Sequence, residues 1–214
     1  MKKEIFPIFL MAFVIIFSIL VYPSLPDQIP SHWNAQGEID AYSSRNFAVL
    51  FFPSLIIGVY LLMTVLPKFD PLKKNYPSFA TPYYWFRLIF IIFFSALYLF
   101  TIWTALGGNL NINYFMIPAM SLLFIVVGLF LPKIKRNYFV GIKTPWTLAS
   151  DESWDKTHVL GGKLFVLVGV LSLLGLFLEQ SILILIFSVL AAVIITFVYS
   201  YIIYKKVEKI KTNN

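Results

Sequence analysis

Long apolar runs separated by short polar stretches dominate this chain. Six runs stand out, at 5–22, 47–66, 84–106, 114–131, 160–178 and 181–204. Each comes close to the roughly 20 residues that a helix needs to cross a bilayer. The first run ends in Tyr22-Pro-Ser-Leu-Pro26 rather than a small-x-small cleavage site, so it reads as an uncleaved helix. The fifth carries Gly161, Gly162 and Lys163 in its first turn, so it should continue a more polar helix that begins at the interface. Glu179-Gln-Ser181 is short enough to force spans five and six into a tight antiparallel hairpin. Pro53 and Pro118 fall inside spans two and four, where proline is tolerated and can kink a helix. The pattern predicts an all-α integral membrane protein with six transmembrane helices.

Composition agrees. The chain is 59% hydrophobic and 13% charged, whereas soluble domains carry about 25% charged residues. The net charge of +7 could suggest a nucleic-acid partner. The basic residues instead flank the spans, which argues for orientation in a membrane and against direct nucleic-acid contact. Of 17 Lys and Arg residues, only Arg45 falls on the side opposite the rest. The positive-inside bias therefore predicts both termini in the cytoplasm, with loop 23–46 outside and segment 141–163 inside. The absence of Cys excludes disulfides, thiolate catalysis and Cys-based zinc sites. No charged residue or His lies in the middle of a span, which weighs against an ion-coupled carrier. Ser188, Ala192, Thr196 and Ser200 form a small-residue stripe on span six. Such a stripe suits close packing within the chain, or, as the lesser possibility, a homodimer.

In the outer loop, Pro23, Pro26 and Pro30 forbid a helix. Ile29–Trp33 and Glu38–Ala41, separated by Asn34-Ala-Gln-Gly37, read as a small hairpin or a pair of extended arms. Ser43 or Ser44 can cap span two. His32 with Glu38 and Asp40 offers hard metal donors, although their spacing is not diagnostic and a hydrogen-bonded or interfacial His is the plainer reading. A compact cap that contacts an external ligand through Pro26, Asp27, Pro30, His32, Trp33, Asn34, Gly37 and Asp40 is the functional reading.

The inner segment concentrates unusual residues. Pro145 imposes extended or turn geometry before Trp146, and Ser150 is a good N-cap for a helix opening with Asp151 and Glu152. Helical spacing places Asp151, Asp155, His158 and Gly162 on one stripe, and Trp154, Thr157, His158 and Gly161 on the next. Trp146 and Trp154 suit an interfacial belt. Gly161 and Gly162 could supply a bend or a close helix contact. Asp155 and His158 could bind a metal or exchange a proton. The Trp residues could instead anchor a cytoplasmic protein, and the bland reading, an interfacial anchor, is favoured by periodicity alone.

Gly141-Ile-Lys-Thr-Pro-Trp-Thr-Leu148, Ser153-Trp-Asp-Lys-Thr-His158 and Gly161–Lys163 closely resemble the signature of the SdpI family of bacterial immunity proteins. Leu25-Pro-Asp-Gln-Ile-Pro-Ser-His-Trp-Asn34, with Gly37 and Asp40, resembles a domain of unknown function often fused to it. The motif positions are Gly141, Lys143, Thr144, Pro145, Trp146, Thr147, Trp154, Lys156, Thr157, His158 and Gly161. Lys143 departs from the Arg expected in many relatives, which keeps the charge but removes a bidentate contact. The resemblance covers the whole chain. It implies an N-terminal two-helix unit at 1–66, central helices at 67–131 and an SdpI-like unit at 132–214. It further implies a bacterial cell-membrane protein without cofactor or metal that binds a secreted toxic peptide, protects its producer, and can hold a transcriptional repressor at the membrane. The alternatives are a membrane enzyme or carrier using His32 or His158, and a general envelope-stress protein.

Overall fold

The computed structural model describes residues 4–178 and 181–212. Six of the described helices are long and apolar enough to cross a membrane. They are α1 (Ile5–Val21), α2 (Arg45–Phe69), α3 (Ala80–Ala105), α4 (Asn113–Phe130), α6 (Asp151–Leu174) and α7 (Ser181–Thr212). A one-turn helix, α5 (Pro145–Ala149), precedes α6, and a two-stranded sheet, β1 (Gln28–Trp33) and β2 (Ile39–Ser44), follows α1. The six-span reading and the small hairpin after the first helix are therefore both present. The Glu179–Gln180 turn and the charges of Lys2 and Lys3 lie outside the described residues, as does the Lys211 side chain.

Chain contacts divide the protein into two compact units, Met1–Thr64 with Arg87–Ala119, and Val65–Phe86 with Met120–Asn214. In the first, Ser18 and the Tyr98 hydroxyl share a hydrogen bond of 2.7 Å between α1 and α3. Phe17 meets the Tyr98 ring edge-on, and Phe52 of α2 stacks against it. Toward the other end of the same helices, buried Arg87 donates to Glu4 at 2.8 Å and to the Thr64 hydroxyl at 2.6 Å. The Tyr60 hydroxyl also donates to Glu4. Arg87 is buried at the start of its span, and its charge is paired there rather than left bare.

The hairpin crowns this unit. Its strands pair antiparallel, with Ser31 and Asp40 each extra on its own strand between the Pro30–Tyr42 and Trp33–Ile39 pairs. The tip turns through Gly37, whose φ of +81° is open to glycine at no steric cost. Asn34 holds the turn by accepting the Gln36 and Glu38 N–H groups, both at 3.0 Å. From the α3–α4 connection, Asn111 donates to the Gln36 carbonyl at 2.7 Å and Asn113 to the Ala35 carbonyl at 3.1 Å. At the base, Ser44 caps α2 by accepting the Phe47 N–H at 3.2 Å.

In the second unit, α4 and α6 approach backbone to backbone. A Cβ on Gly162 would stand 2.6 Å from the Gly128 carbonyl oxygen, and one on Gly169 would stand 2.5 Å from that of Ser121. Both pairs are two turns apart on their helices, so small residues recur where the backbones meet. α6 runs unbroken through Gly161 and Gly162, and both glycines are buried. They serve contact, the second of the two roles the sequence left open. The stripe on α7 packs within the chain: Ala192, Thr196 and Ser200 are buried, and Ser153 donates to the Ser200 carbonyl at 3.0 Å. Packing within the chain, the first of the two uses read from this stripe, is thus present for these three residues.

Gly162→Val should overpack the α4–α6 seam and lower stability by about 1–3 kcal/mol. Gly58→Ala, where an added Cβ meets nothing within 4 Å, should be neutral or stabilising. Thermal unfolding of the purified chain in detergent separates the two.

Candidate functional site

The motif at 141–163 folds, with neighbouring residues, into a knot of side chains that replace missing secondary structure. Between α4 and α5 the backbone is irregular, so its N–H and C=O groups need other partners. Asn137, with no exposed surface, supplies several. Its carbonyl oxygen accepts the Phe139 N–H at 2.9 Å and the Val140 N–H at 2.7 Å. Its amide donates to the carbonyls of Lys135 and Val140, both at 2.9 Å. Asp70, equally buried, accepts the Leu72 N–H at 2.7 Å, the Tyr138 N–H at 2.9 Å and the Tyr76 hydroxyl at 3.0 Å. Asn75 donates to the Arg136 carbonyl at 2.7 Å. Around these bonds pack Tyr76, Phe79, Tyr83, Ile134, Val140 and Trp154.

Trp154 and His158 pin the next stretch. Trp154 has no exposed surface, and its indole donates to the Ile134 carbonyl at 2.7 Å. The His158 ring lies against the indole, centroids 4.0 Å apart and planes at 18°. The Ile142 N–H donates to Nε2 at 2.9 Å, so that nitrogen is an acceptor. Nδ1 lies 2.8 Å from the Trp154 carbonyl and must carry the proton. These partners define a neutral imidazole in the Nδ1–H tautomer. Gly141 makes the approach possible: its φ is +118°, and a Cβ there would stand 2.4 Å from Nε2.

The rest of the motif builds a cap and ties it to α7. Thr144 and Thr147 form a reciprocal capping box around α5, and Pro145 occupies its first turn. The Thr144 hydroxyl reaches that of Ser200 at 3.0 Å, and Trp146 meets Phe197 and Tyr201. Ser150 caps α6 by accepting the Ser153 N–H at 3.3 Å, as its position predicts. Lys143 donates to the carbonyls of Tyr138 and Phe139, both at 3.2 Å. A single ammonium satisfies both carbonyls, so the Lys-for-Arg departure is accommodated here. Thr157 and Gly161 are buried on the same face of α6 as Trp154, while Lys156 is exposed and pairs with Glu152 at 2.7 Å.

The geometry decides three of the alternatives the sequence offered. Trp154 is a core residue rather than an interfacial one, because its indole N–H finds a carbonyl inside the knot. It is therefore not an accessible anchor for a docking protein. Asp155 does not join His158. It is exposed and pairs with Lys135 at 3.3 Å, while both imidazole nitrogens are occupied by backbone. In the hairpin, His32 and Asp40 meet at 2.5 Å, but Glu38 turns to Asn34 at 3.0 Å. Among the described residues no third His or carboxylate completes a metal cluster there. Asp27 pairs with Arg45 at 3.3 Å, Pro30 is buried, Pro26 is exposed and Trp33 is half-buried. Asp70, Tyr76 and Asn137 were missed altogether. The one usable signal was a lone acid in a loop otherwise rich in Lys.

Residues 133–200 match the SdpI/YfhL protein family. They form an SdpI/YfhL region. It takes in the part of the knot from Asn137 to His158, with Phe197 and Ser200 of α7, but not Asp70, Tyr76 or the other residues contributed from before α4, and the resemblance read from the motif holds. Residues 9–57, which include the hairpin, match a domain of unknown function (DUF1648). Over 208 residues the chain is 28% identical to "Immunity protein SdpI" of Bacillus subtilis (strain 168), covering 96% of this chain and 98% of that protein. No solved structure gives a significant match. The chain is thus a multi-pass membrane protein whose residues 133–200 are similar to the SdpI/YfhL family.

His158→Ala should orphan the Ile142 N–H and open the indole face, costing about 1–3 kcal/mol. Loss of Trp154 burial should appear as a red shift in its fluorescence. In labelled wild-type protein, ¹⁵N NMR at neutral pH should report the Nδ1–H tautomer.

Proposed function

We propose that the protein is a membrane immunity protein that protects its producer by binding a secreted toxic peptide. The observation that carries this reading is the similarity to an immunity protein along nearly the whole of both chains. In this reading both termini are cytoplasmic, the hairpin faces outward, and the SdpI/YfhL region faces inward. The His32–Asp40 pair supports a contact role for the hairpin: His32 is 67% and Asp40 43% exposed at the side chain, and their contact uses Nδ1 of the ring. The sealed imidazole of His158 supports bracing rather than catalysis, since both its nitrogens are engaged by backbone. If a repressor is held at the membrane, the toxin must favour one of two states of this protein, because equal affinity for both shifts nothing. The exposed Lys135–Asp155 and Lys156–Glu152 pairs give that repressor a polar surface to read.

Survival of toxin-sensitive cells expressing the chain tests the reading. Protection should fall with His32→Ala and with Asp40→Ala while protein levels hold. Absence of protection against every peptide of this class would remove immunity as the function. Single Cys residues at exposed Gln36 and Ala149 should label differently on intact cells with an impermeant maleimide. Labelling at Gln36 alone is the expected outcome, and labelling at Ala149 alone would invert the proposed topology.

A further inference from the structure

Beneath the hairpin, α1 and α2 leave a groove of about 600 Å³ between them. Its walls are nearly all apolar, with Ile15 and Ile19 on α1 and Leu50 and Ile57 on α2. Its hairpin end is different. There Tyr22 donates to Asn46 at 2.6 Å, and both residues line the groove. The Arg45 guanidinium lies 4.6 Å from the Tyr22 ring centroid. Arg45 is the only Lys or Arg between Lys3 and Lys68. An apolar slot inside the spans, with an aromatic ring at one end and a cation stacked on that ring, has the polarity profile of a phospholipid.

We propose that this groove holds one acyl chain of an anionic glycerophospholipid whose phosphate rests on Arg45. The α2 wall from Asn46 to Ile57 is roughly 16 Å long at 1.5 Å per residue, a length along which an acyl chain can lie, and the chemistry of the lining favours such a chain over a peptide. A peptide would bring its N–H and C=O groups against mostly apolar walls. Below the Tyr22–Asn46 end, the lining offers them only the hydroxyls of Ser18 and Ser54, the former already bonded to Val14 and Tyr98, and the Val49 carbonyl, deprived of its helical donor by Pro53. A hydrocarbon chain makes no such demand.

The headgroup site is equally economical. Arg45 donates to the Leu25 carbonyl at 3.0 Å, which fixes its position. Its other partner, Asp27 at 3.3 Å, is 91% exposed at the side chain. An exposed pair of this kind contributes little, so a phosphate can share or replace it. Tyr22 beneath the guanidinium provides the aromatic contact typical of the headgroup level.

The test uses the full chain in nanodiscs of equal phosphatidylglycerol and phosphatidylcholine, followed by native mass spectrometry of the released protein. Wild type should retain one phospholipid, enriched in phosphatidylglycerol. Arg45→Gln should still retain one but lose roughly fivefold of the preference, the worth of one cation beside an anionic headgroup. Ser54→Trp and Leu50→Trp, which plug the groove from α2, should each abolish retention, with unchanged melting showing that the fold survives. Wild type without bound lipid, a plugged variant that folds and still holds lipid, or a bound mass belonging to a peptide or second chain would each overturn the proposal.

Discussion

A buried, irregular backbone has to find hydrogen-bond partners, and the SdpI/YfhL region is organised around that demand. Between the 3-10 turn at Leu131–Lys133 and the start of α5 the chain makes no ladder and no helix, yet much of it is sealed from solvent. An unmet backbone group in such a place costs about 1–3 kcal/mol. Asp70, Asn137 and His158 meet the cost with side chains, each serving two or more main-chain groups. The aromatic shell of Tyr76, Phe79, Tyr83 and Trp154 then excludes water from those bonds. Polar pins and apolar shell depend on each other: without the pins the shell would bury bare amides, and without the shell water would compete for them.

The glycines extend the same logic to the helices. Gly141 lets the backbone come close enough to be caught by an imidazole, and Gly162 and Gly169 let α6 come close to α4. Close approach matters in a membrane because apolar side chains gain little by leaving lipid for one another. Packing and main-chain contact have to supply what the hydrophobic effect supplies in water. The Thr144–Ser200 and Ser153–Ser200 bonds add polar glue between the motif and α7.

The sequence made some of this readable and hid the rest, for physical reasons. Span existence was legible because a run of about 20 apolar residues has few other uses. Ser44 and Ser150 were legible as caps because capping is a local affair of three residues. Asp70 and Asn137 were not, since each looks like an ordinary loop residue until the fold brings 70–76 beside 135–140. Glu4 and Arg87 are hidden likewise, 83 positions apart. Trp154 misled because an aromatic near a span end suits the interface and the core equally. Only the position of the Ile134 carbonyl decides between them, and no periodicity encodes it. The Ser121 and Gly128 contacts escaped notice because two small residues in an apolar run carry meaning only once the facing helix is known.

The clasp at the hairpin tip has a mechanical meaning. Asn111 and Asn113 hold the Ala35 and Gln36 carbonyls from the start of α4, while Ser44 and Arg45 anchor the hairpin base on α2. The hairpin is therefore a beam fixed at both ends and not a hinged flap. A load placed near His32 is carried into the first turns of two helices at once, instead of being absorbed by a swinging loop.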